Sequence, residues 1–424
     1  MVSKLKLLLS RLRGSKDGRS LTSNFGYLLL LQISTYLFPI ITIPYLARVI
    51  GVEGFGKIAF AAAIVLWLRT VTDWGFSLTA TRDIARHKED IEKVSEIFSN
   101  VFWAKCLLGT LSLILLTLGI SFVPYFNENR IVLLATFLII PGNILFPEWF
   151  FQAIEKMKFI TVFNIVSKGI FTLMVFIFIK EKEDFILQPL FISLGFILSG
   201  IVSMYIIIVD WKIKILKPNL KKILQTIKNS SDVFINKFMP NLYNSLSVVL
   251  LGFWAGDIAN GIYSAGRKFL DLANSFMDIM IRVSFPFLSR KIEAHNLFAM
   301  IYLFISGIAS LTLYLTAPIV IEVFLTNSFR EAVTVLQITS ISLVFSGLIK
   351  VYGTNYLILE GYERPLRNIT ILFAIIGLVL SIPLVYYYSY IGAAITLVFT
   401  QALLGLAITS KAMKVKSKYK NTIK

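Results

Sequence analysis

Arg267, Asp271, Asn274, Asp278 and Arg282 follow one another at steps of 4, 3, 4 and 4 residues. On an α-helix turning about 100° per residue, these side chains share roughly 80° of circumference and about 22 Å of axis. They fall in a stretch, 263–285, that is apolar enough to cross a membrane. An isolated charge at mid-bilayer costs several kcal/mol, so a column of them is expected to line a cavity filled with water or substrate. Guanidinium groups there can recognise anions. Asp271, one turn from Arg267 and two from Asp278, shares the stripe with a second acid, so one of the two could carry a proton.

Other chemistry-bearing residues fall at membrane depth. Arg69 and Asp73 stand at i, i+4 in a second apolar stretch, the spacing that Asp278 and Arg282 repeat. Such pairs can simply neutralise one another along a helix face. Read functionally, they form a gate or coupling site in which an acid's protonation follows access from the cavity. Lys237, Asn241 and Asn244 lie within about 60° of one another on a third helix. Asn236 and Asn244 could instead satisfy backbone groups near Pro240. Lys350 stands beside Ser346 and Thr354, while Lys105 and Lys168 read as solitary lysines able to pair with lipid headgroups. The expected substrate contacts are therefore Arg69, Lys237, Asn241, Arg267, Asn274, Arg282 and Lys350. The expected gating or coupling acids are Asp73, Asp271 and Asp278.

The elements that must position these residues are membrane helices. The chain has 424 residues, 56 % of them hydrophobic, with a mean hydropathy of +0.76. A soluble chain of this length has no use for so much apolar surface, so the fold class is an all-α polytopic membrane protein. Twelve apolar windows are expected to span, near 24–46, 58–80, 97–120, 131–150, 160–180, 186–209, 231–252, 263–285, 297–316, 333–359, 368–388 and 391–410. The first is interrupted by Pro39 and Pro44 and the seventh by Pro240, which frees carbonyls that neighbours or cavity water must satisfy.

Net charge is +18. That balance would suit nucleic acid, but its distribution is that of a membrane topology. Loops on the side holding both termini carry 28 Lys plus Arg against 6 on the other side, which places both termini in the cytoplasm. The eight remaining cations are Arg69, Lys105, Lys168, Lys237, Arg267, Lys268, Arg282 and Lys350. Lys268 lies off the stripe near a helix end and is expected to snorkel. Eight cations against the acids Asp73, Asp271 and Asp278 leave the interior positive, which suits an anionic, phosphate-bearing substrate rather than an organic cation. The start, SKLKLLLSRLRG, has too short an apolar run for a signal peptide and reads as an amphipathic helix on the cytoplasmic face.

The chain also reads twice. A shift of 205 residues lays Gly51 on Gly256, Gly56 on Gly261, Asp73 on Asp278 and Arg86 on Lys291. A second echo, at 208, sets QAIEKM (152–157) against EGYERP (360–365). Six spans per half is an even number, so the halves would form two six-helix bundles related by a pseudo-two-fold along the membrane normal, with the site between them. The corresponding divisions are an amphipathic segment 1–22, a first lobe 23–209, a basic cytoplasmic linker 210–231, a second lobe 232–410 and a basic tail 411–424. The single Cys106 reads as a small core residue, and His87 and His295 as residues of short polar loops without ligand spacing for a metal. GVEGFGKI (51–58) follows a span and lacks the strand of a nucleotide-binding loop, so it reads as a tight turn. No nucleophilic triad or Walker motif is present to suggest an enzyme.

Three segments together resemble the Wzx-type flippases of bacterial polysaccharide biosynthesis, members of the multidrug/oligosaccharidyl-lipid/polysaccharide exporter superfamily. They are NFGYLLLLQISTYLFPIITIPYLARVIGVEGFG (24–56), DWGFSLTATRDIAR (73–86) and FPEWFFQAIEKMKFIT (146–161). The resemblance covers the amino-terminal half, while the remainder matches by topology and charge placement. It implies two six-helix bundles facing each other in a V, opening alternately to each side of the bacterial cytoplasmic membrane. It implies a substrate of undecaprenyl diphosphate carrying an oligosaccharide repeat unit, such as an O-antigen unit, and partners among membrane lipids, a polysaccharide polymerase and glycosyltransferases. The family's cationic cavity lining carries over to Arg69, Lys237, Arg267 and Arg282; its eleventh-span charges do not, since 371–388 has none. Ion-coupled transport is implied, by H+ or Na+, with no other cofactor and no residue that identifies the ion. Two other readings fit the residues: a small-molecule or multidrug antiporter of the same fold, and a non-transporting scaffold for glycan assembly.

Overall fold

The computed structural model describes residues 16–288 and 292–422. Residues 1–15 of the expected amphipathic segment lie outside the described residues. So do the side chains of Asn236, Asn241, Asn244 and Arg282, and those of the basic tail beyond Ser417. The described chain is helical, and the helices used below are α1 (Lys16–Asp73), α2 (Phe76–Arg86), α3 (Ile91–Phe122), α4 (Met157–Phe178), α5 (Leu187–Tyr205), α6 (Leu220–Leu288), α7 (His295–Phe324) and α8 (Glu363–Thr422). Shorter helices fill 130–153 and 332–348, and a nine-residue π-helix runs Ile349–Leu357.

Among the described residues, nine helical stretches are long and apolar enough to cross a membrane. Their outer faces carry large apolar side chains: Leu111, Ile114, Leu115, Leu118 and Phe122 on α3, and Phe304, Leu311, Leu315 and Ile319 on α7, are exposed. A surface of that kind is stable only against lipid, so this is a multi-pass membrane protein. Three of the nine stretches run 57, 37 and 55 residues. A straight helix of 57 residues would reach about 85 Å, far beyond a hydrocarbon core of about 30 Å. Each of the three is interrupted by a residue with non-helical backbone, Gly51 (φ 66°, ψ −173°), Gly256 (φ 78°, ψ −179°) and Ser389 (φ 50°, ψ −133°), and the first is interrupted again at Trp74–Gly75. The turn expected at GVEGFGKI is thus made by a single residue, and its repeat 205 residues on has the same backbone geometry.

By its internal contacts the chain divides into two compact units. One holds the described residues up to Tyr45 together with Val65–Lys237; the other holds Leu46–Ile64 and the described residues from Phe238 onward. The core of the first unit is aromatic. Phe76 and Ile84 of α2, Phe98 of α3, and Phe146, Trp149, Phe150 and Phe151 are all buried. Rings pack at centroid distances of 5.2 Å (Phe98–Phe150) and 5.5 Å (Phe151–Trp211). The FPEWFFQAIEKMKFIT segment therefore builds core, with its aromatic residues inward. Elsewhere helices meet through small polar residues: the Ser167 hydroxyl of α4 donates to the Gly195 carbonyl of α5 at 3.0 Å. Membrane helices need such contacts because lipid offers no hydrophobic drive to pair.

The core of the second unit gathers Met277 and Ile281 of α6, Tyr302 of α7, Val351 and Tyr356 of the π-helix, and Leu404 and Ile408 of α8. Hydroxyls of Ser306 and Ser310 on α7 donate to the carbonyls of Leu343 (2.7 Å) and Ser340 (2.9 Å). His295 belongs to this packing rather than to a polar loop. It is 1 % exposed, with Nε2 3.1 Å from the Val351 carbonyl and Nδ1 3.1 Å from Lys416 Nζ. An ammonium can only donate, so Nδ1 accepts and Nε2 carries the proton given to Val351.

The second echo has a different register from the one expected. The Lys156 amide donates to the Phe151 carbonyl (2.8 Å) and the Glu155 amide to Gln152 (3.1 Å); Tyr362 donates to Leu357 (2.7 Å) and Gly361 to Ile358 (3.1 Å). Both are helix C-terminal caps of the 6→1 and 5→2 kind, with Glu155 (φ 60°) and Gly361 (φ 78°) in the left-handed position. The offset between them is 206, because backbone hydrogen bonds rather than charge order define the motif.

Candidate functional site

The first unit builds its site at a broken span. Helix α1 ends at Asp73, Trp74 (φ 41°) and Gly75 (φ 79°) take left-handed backbone, and α2 starts at Phe76. A tryptophan in that conformation is strained unless its surroundings fix it. Here its Nε1 donates to the Ile227 carbonyl at 3.1 Å, and its ring stacks on Phe234 at 3.9 Å with planes 2° apart. Thr79 and Ser230 share a hydrogen bond of 2.8 Å just below. The same length of α6 that holds the break also supplies Lys237.

Asp73 is the centre of a charged cluster. Its Oδ1 lies 3.1 Å from Lys105 Nζ of α3; its Oδ2 lies 3.4 Å from Lys237 Nζ and accepts from the Ser77 hydroxyl at 3.1 Å. Lys237 Nζ also donates to Ser77 Oγ. Negative charge at a helix C-terminus is disfavoured by the helix dipole, and two cations offset it. The expected partnership of Arg69 with Asp73 is not the one formed. Both carboxylate oxygens are committed to lysines from other helices, and Arg69 is exposed with no ion pair among the described residues. Lys105, read from sequence as solitary, is the more buried partner, with its side chain 7 % exposed. Lys168 donates to Thr35 Oγ1 at 2.7 Å, and Asn164 on the same helix donates to Glu148 Oε1 at 2.8 Å.

The second unit holds the stripe. Arg267 Nε stands 3.5 Å from Asp271 Oδ1, and the Arg267 guanidinium reaches the buried Tyr263 hydroxyl at 3.5 Å. Asn274 Oδ1 accepts from Ser346 Oγ (2.8 Å) and from Lys350 Nζ (3.2 Å), and Lys350 Nζ lies 2.9 Å from Asp278 Oδ1. Lys350 sits on the π-helix, whose wider turn alters which residues face α6, as such segments do at functional positions. The structure thus joins Asn274, Asp278 and Lys350 in one cluster and Arg267 with Asp271 in another. Asn241 and the Arg282 side chain lie outside the described residues.

Sequence reasoning passed over Lys105 and Ser77. A lysine in the middle of an apolar window needs a counter-ion, and Asp73 stood nearby as an acid at comparable depth; that was the available signal. The charge balance also differs between the clusters. In the second unit each described acid of the stripe has its own cation. In the first, one acid faces two lysines, and Arg69 adds a third cation with no ion pair among the described residues.

These features describe a helical membrane transporter fold, and comparison with known structures agrees. A lipid II flippase, MurJ, in an inward closed conformation is similar with a TM-score of 0.68, at 16 % identity, covering 90 % of this chain and 87 % of that one. An inward-facing multidrug resistance MATE family transporter of the MOP superfamily is similar with a TM-score of 0.64, at 16 % identity, covering 90 % and 96 %. The fold is that of the MOP-superfamily transporters. Residues 21–292 match the family described as "Polysaccharide biosynthesis protein", and the chain belongs to that family. Among curated relatives, a "Putative O-antigen transporter" of Escherichia coli (strain K12) is 30 % identical over 392 residues, 91 % of this chain and 94 % of that protein.

Proposed function

We propose that this protein is a flippase that moves undecaprenyl-diphosphate-linked oligosaccharide repeat units, O-antigen or another surface polysaccharide, across the bacterial cytoplasmic membrane by alternating access. The observation that carries the reading is the surplus of cations in a polysaccharide-biosynthesis family member. Lys105 and Lys237 share one carboxylate, which leaves positive charge at membrane depth for a diphosphate. Arg267, Asn274 and Lys350 would contact the polar part of the substrate, together with Asn241 and Arg282, while Asp73, Asp271 and Asp278 would serve gating or ion coupling. The names of the Escherichia coli relative and of MurJ support a lipid-linked substrate class.

If each single-residue break at Gly51, Gly256 and Ser389 is a turn between two crossings, the nine stretches become twelve spans. Two six-helix bundles, 23–209 and 232–410, with both termini cytoplasmic, are the topology we assign. A polymerase and glycosyltransferases are the expected neighbours. The test is complementation. Cells lacking the gene are expected to lose surface polysaccharide and retain lipid-linked repeat units; the wild-type gene restores the polymer. Arg267→Glu, which sets a second carboxylate against Asp271, is expected to fail at normal membrane abundance. Unchanged surface polysaccharide in the deletion strain, with altered sensitivity to small toxic cations, would overturn the reading.

A further inference from the structure

Asp73 cannot be left alone at membrane depth. An unpaired carboxylate there is costly enough that at least one cation must stay beside it. Its two lysines are not equivalent. Lys105 makes the shorter contact, 3.1 Å, with a side chain 7 % exposed between the buried residues Ala104 and Leu108. Lys237 is at 3.4 Å, and its side chain is 37 % exposed. One lysine is locked in and the other is reachable. We propose that Lys105 is a positioning residue: by holding Asp73 from the closed side, it frees Lys237 to exchange the carboxylate for a phosphate oxygen of the substrate. Ser77, which accepts from Lys237 and donates to Asp73, keeps its hydrogen bond to the carboxylate while the lysine is away. This rests on the reading above that the substrate is a polyprenyl diphosphate.

The consequence is specific. Without Lys105, Lys237 becomes the only cation on Asp73 among the described residues, and leaving it would strand the acid. The anion site would fall silent although its contact residue is intact. The test is equilibrium binding of undecaprenyl diphosphate to the full-length protein in detergent, with undecaprenol as the uncharged control; binding is read instead of transport because Asp73 is also placed in coupling. Wild type is expected to favour the diphosphate, and Lys237→Met to lose that preference. Lys105→Met is expected to weaken diphosphate binding about tenfold or more, which corresponds to about 1.4 kcal/mol. Lys105→Arg should retain it. Removing the acid as well, in Lys105→Met/Asp73→Asn, should recover it, since Lys237 then has nothing to guard. Asp73→Asn alone should tighten binding, and this variant tests the idea even if Lys105→Met fails to fold. Should wild type bind diphosphate no better than undecaprenol, the substrate reading itself fails. If wild type discriminates but Lys105→Met binds as well as wild type, or Asp73→Asn weakens binding, the positioning role is wrong.

Discussion

Gly56 and Gly261 offer a demanding test of the internal repeat. A Cβ on Gly56 would lie 1.8 Å from the carbonyl oxygen of Asp257, 2.7 Å from its carbon and 2.9 Å from the Gly261 nitrogen. A Cβ on Gly261 would lie 2.1 Å from the carbonyl oxygen of Val52. Val52 and Asp257 are 205 positions apart, as are the two glycines, so the crossing is symmetric: each repeat presents its glycine to the other's equivalent carbonyl. The Asn260 amide adds a bond to the Gly56 carbonyl at 3.3 Å. Because the obstacles are backbone, no rotamer change relieves them. Regaining ordinary contact at 3.4 Å means separating the helices by about 1.5 Å, and overpacking of that kind costs about 1–3 kcal/mol. Gly56→Ala and Gly261→Ala should each lower the thermal unfolding midpoint of the detergent-solubilised chain by about 1–3 °C, at about 1 °C per kcal/mol for a chain of 424 residues. The double variant should lose less than the two losses added, since separating the helices for one methyl makes room for the second. Gly307→Ala is the control. It lies inside α7 with nothing within 4 Å, and should be neutral or gain up to about 1 kcal/mol from better helix propensity. A Gly56→Ala midpoint equal to that of Gly307→Ala, or strictly additive losses, would refute the shared crossing.

Three further outcomes follow from single contacts. Trp74→Ala removes the stack on Phe234 and the bond to Ile227, an expected loss of about 1–3 kcal/mol; Trp74→Phe should recover part of it, and equal midpoints for the two variants would show that the stack contributes nothing. Glu155 occupies the left-handed C-cap position without being a glycine, and its ion pair to Lys88 at 3.9 Å is exposed and worth little. Glu155→Gly should therefore raise the midpoint by an amount matching about 1 kcal/mol, and a fall would contradict the cap geometry. Lys416→Met takes the donor from the Nδ1 of the buried His295, which should cost about 1–3 kcal/mol. A Lys416→Arg midpoint close to wild type, beside a lowered Lys416→Met, is the pattern that checks it.

Much of this was legible because periodicity acts within one helix. The stripe Arg267–Asp271–Asn274–Asp278 needed only the 3.6-residue repeat, and the pairing of Arg267 with Asp271 at i, i+4 is local. The twofold reading at 205 was carried by glycines, whose backbone states at 51 and 256 agree to within 12° in φ (66° and 78°). What sequence could not rank was competition between partners. Arg69 was nearer to Asp73 along the helix, but the span breaks at Trp74–Gly75 and two lysines from α3 and α6 reach the carboxylate first. The same limit applies to Lys350: it sits on a π-helix, whose wider turn departs from the 3.6-residue period, and its partners Asn274 and Asp278 are more than seventy positions away. His295 looked polar and loop-bound because the groups that meet its ring, Val351, Tyr356 and Lys416, lie far along the chain.

The acids repeat, but their cations do not. Asp73 and Asp278 are 205 positions apart, yet Asp73 is held by lysines of α3 and α6, and Asp278 by one lysine of the π-helix. Position 310, the equivalent of Lys105, is a serine whose hydroxyl donates to a carbonyl instead. Each acid thus has its own set of partners, and among the described side chains the two sets differ in net charge. Around Asp278, Lys350 is consumed by the acid and by Asn274, with its side chain only 18 % exposed. Around Asp73 one cation is left over, at the more exposed position. Affinity for a diphosphate should follow the leftover charge. Lys237→Met should weaken binding of undecaprenyl diphosphate more than Lys350→Met does, while Lys350→Met should cost more stability, because it takes from Asp278 its described cation and from Asn274 Oδ1 one of two donors. Equal losses of binding from the two variants would mean that the pairs exchange freely with substrate, and that the surplus lysine confers nothing.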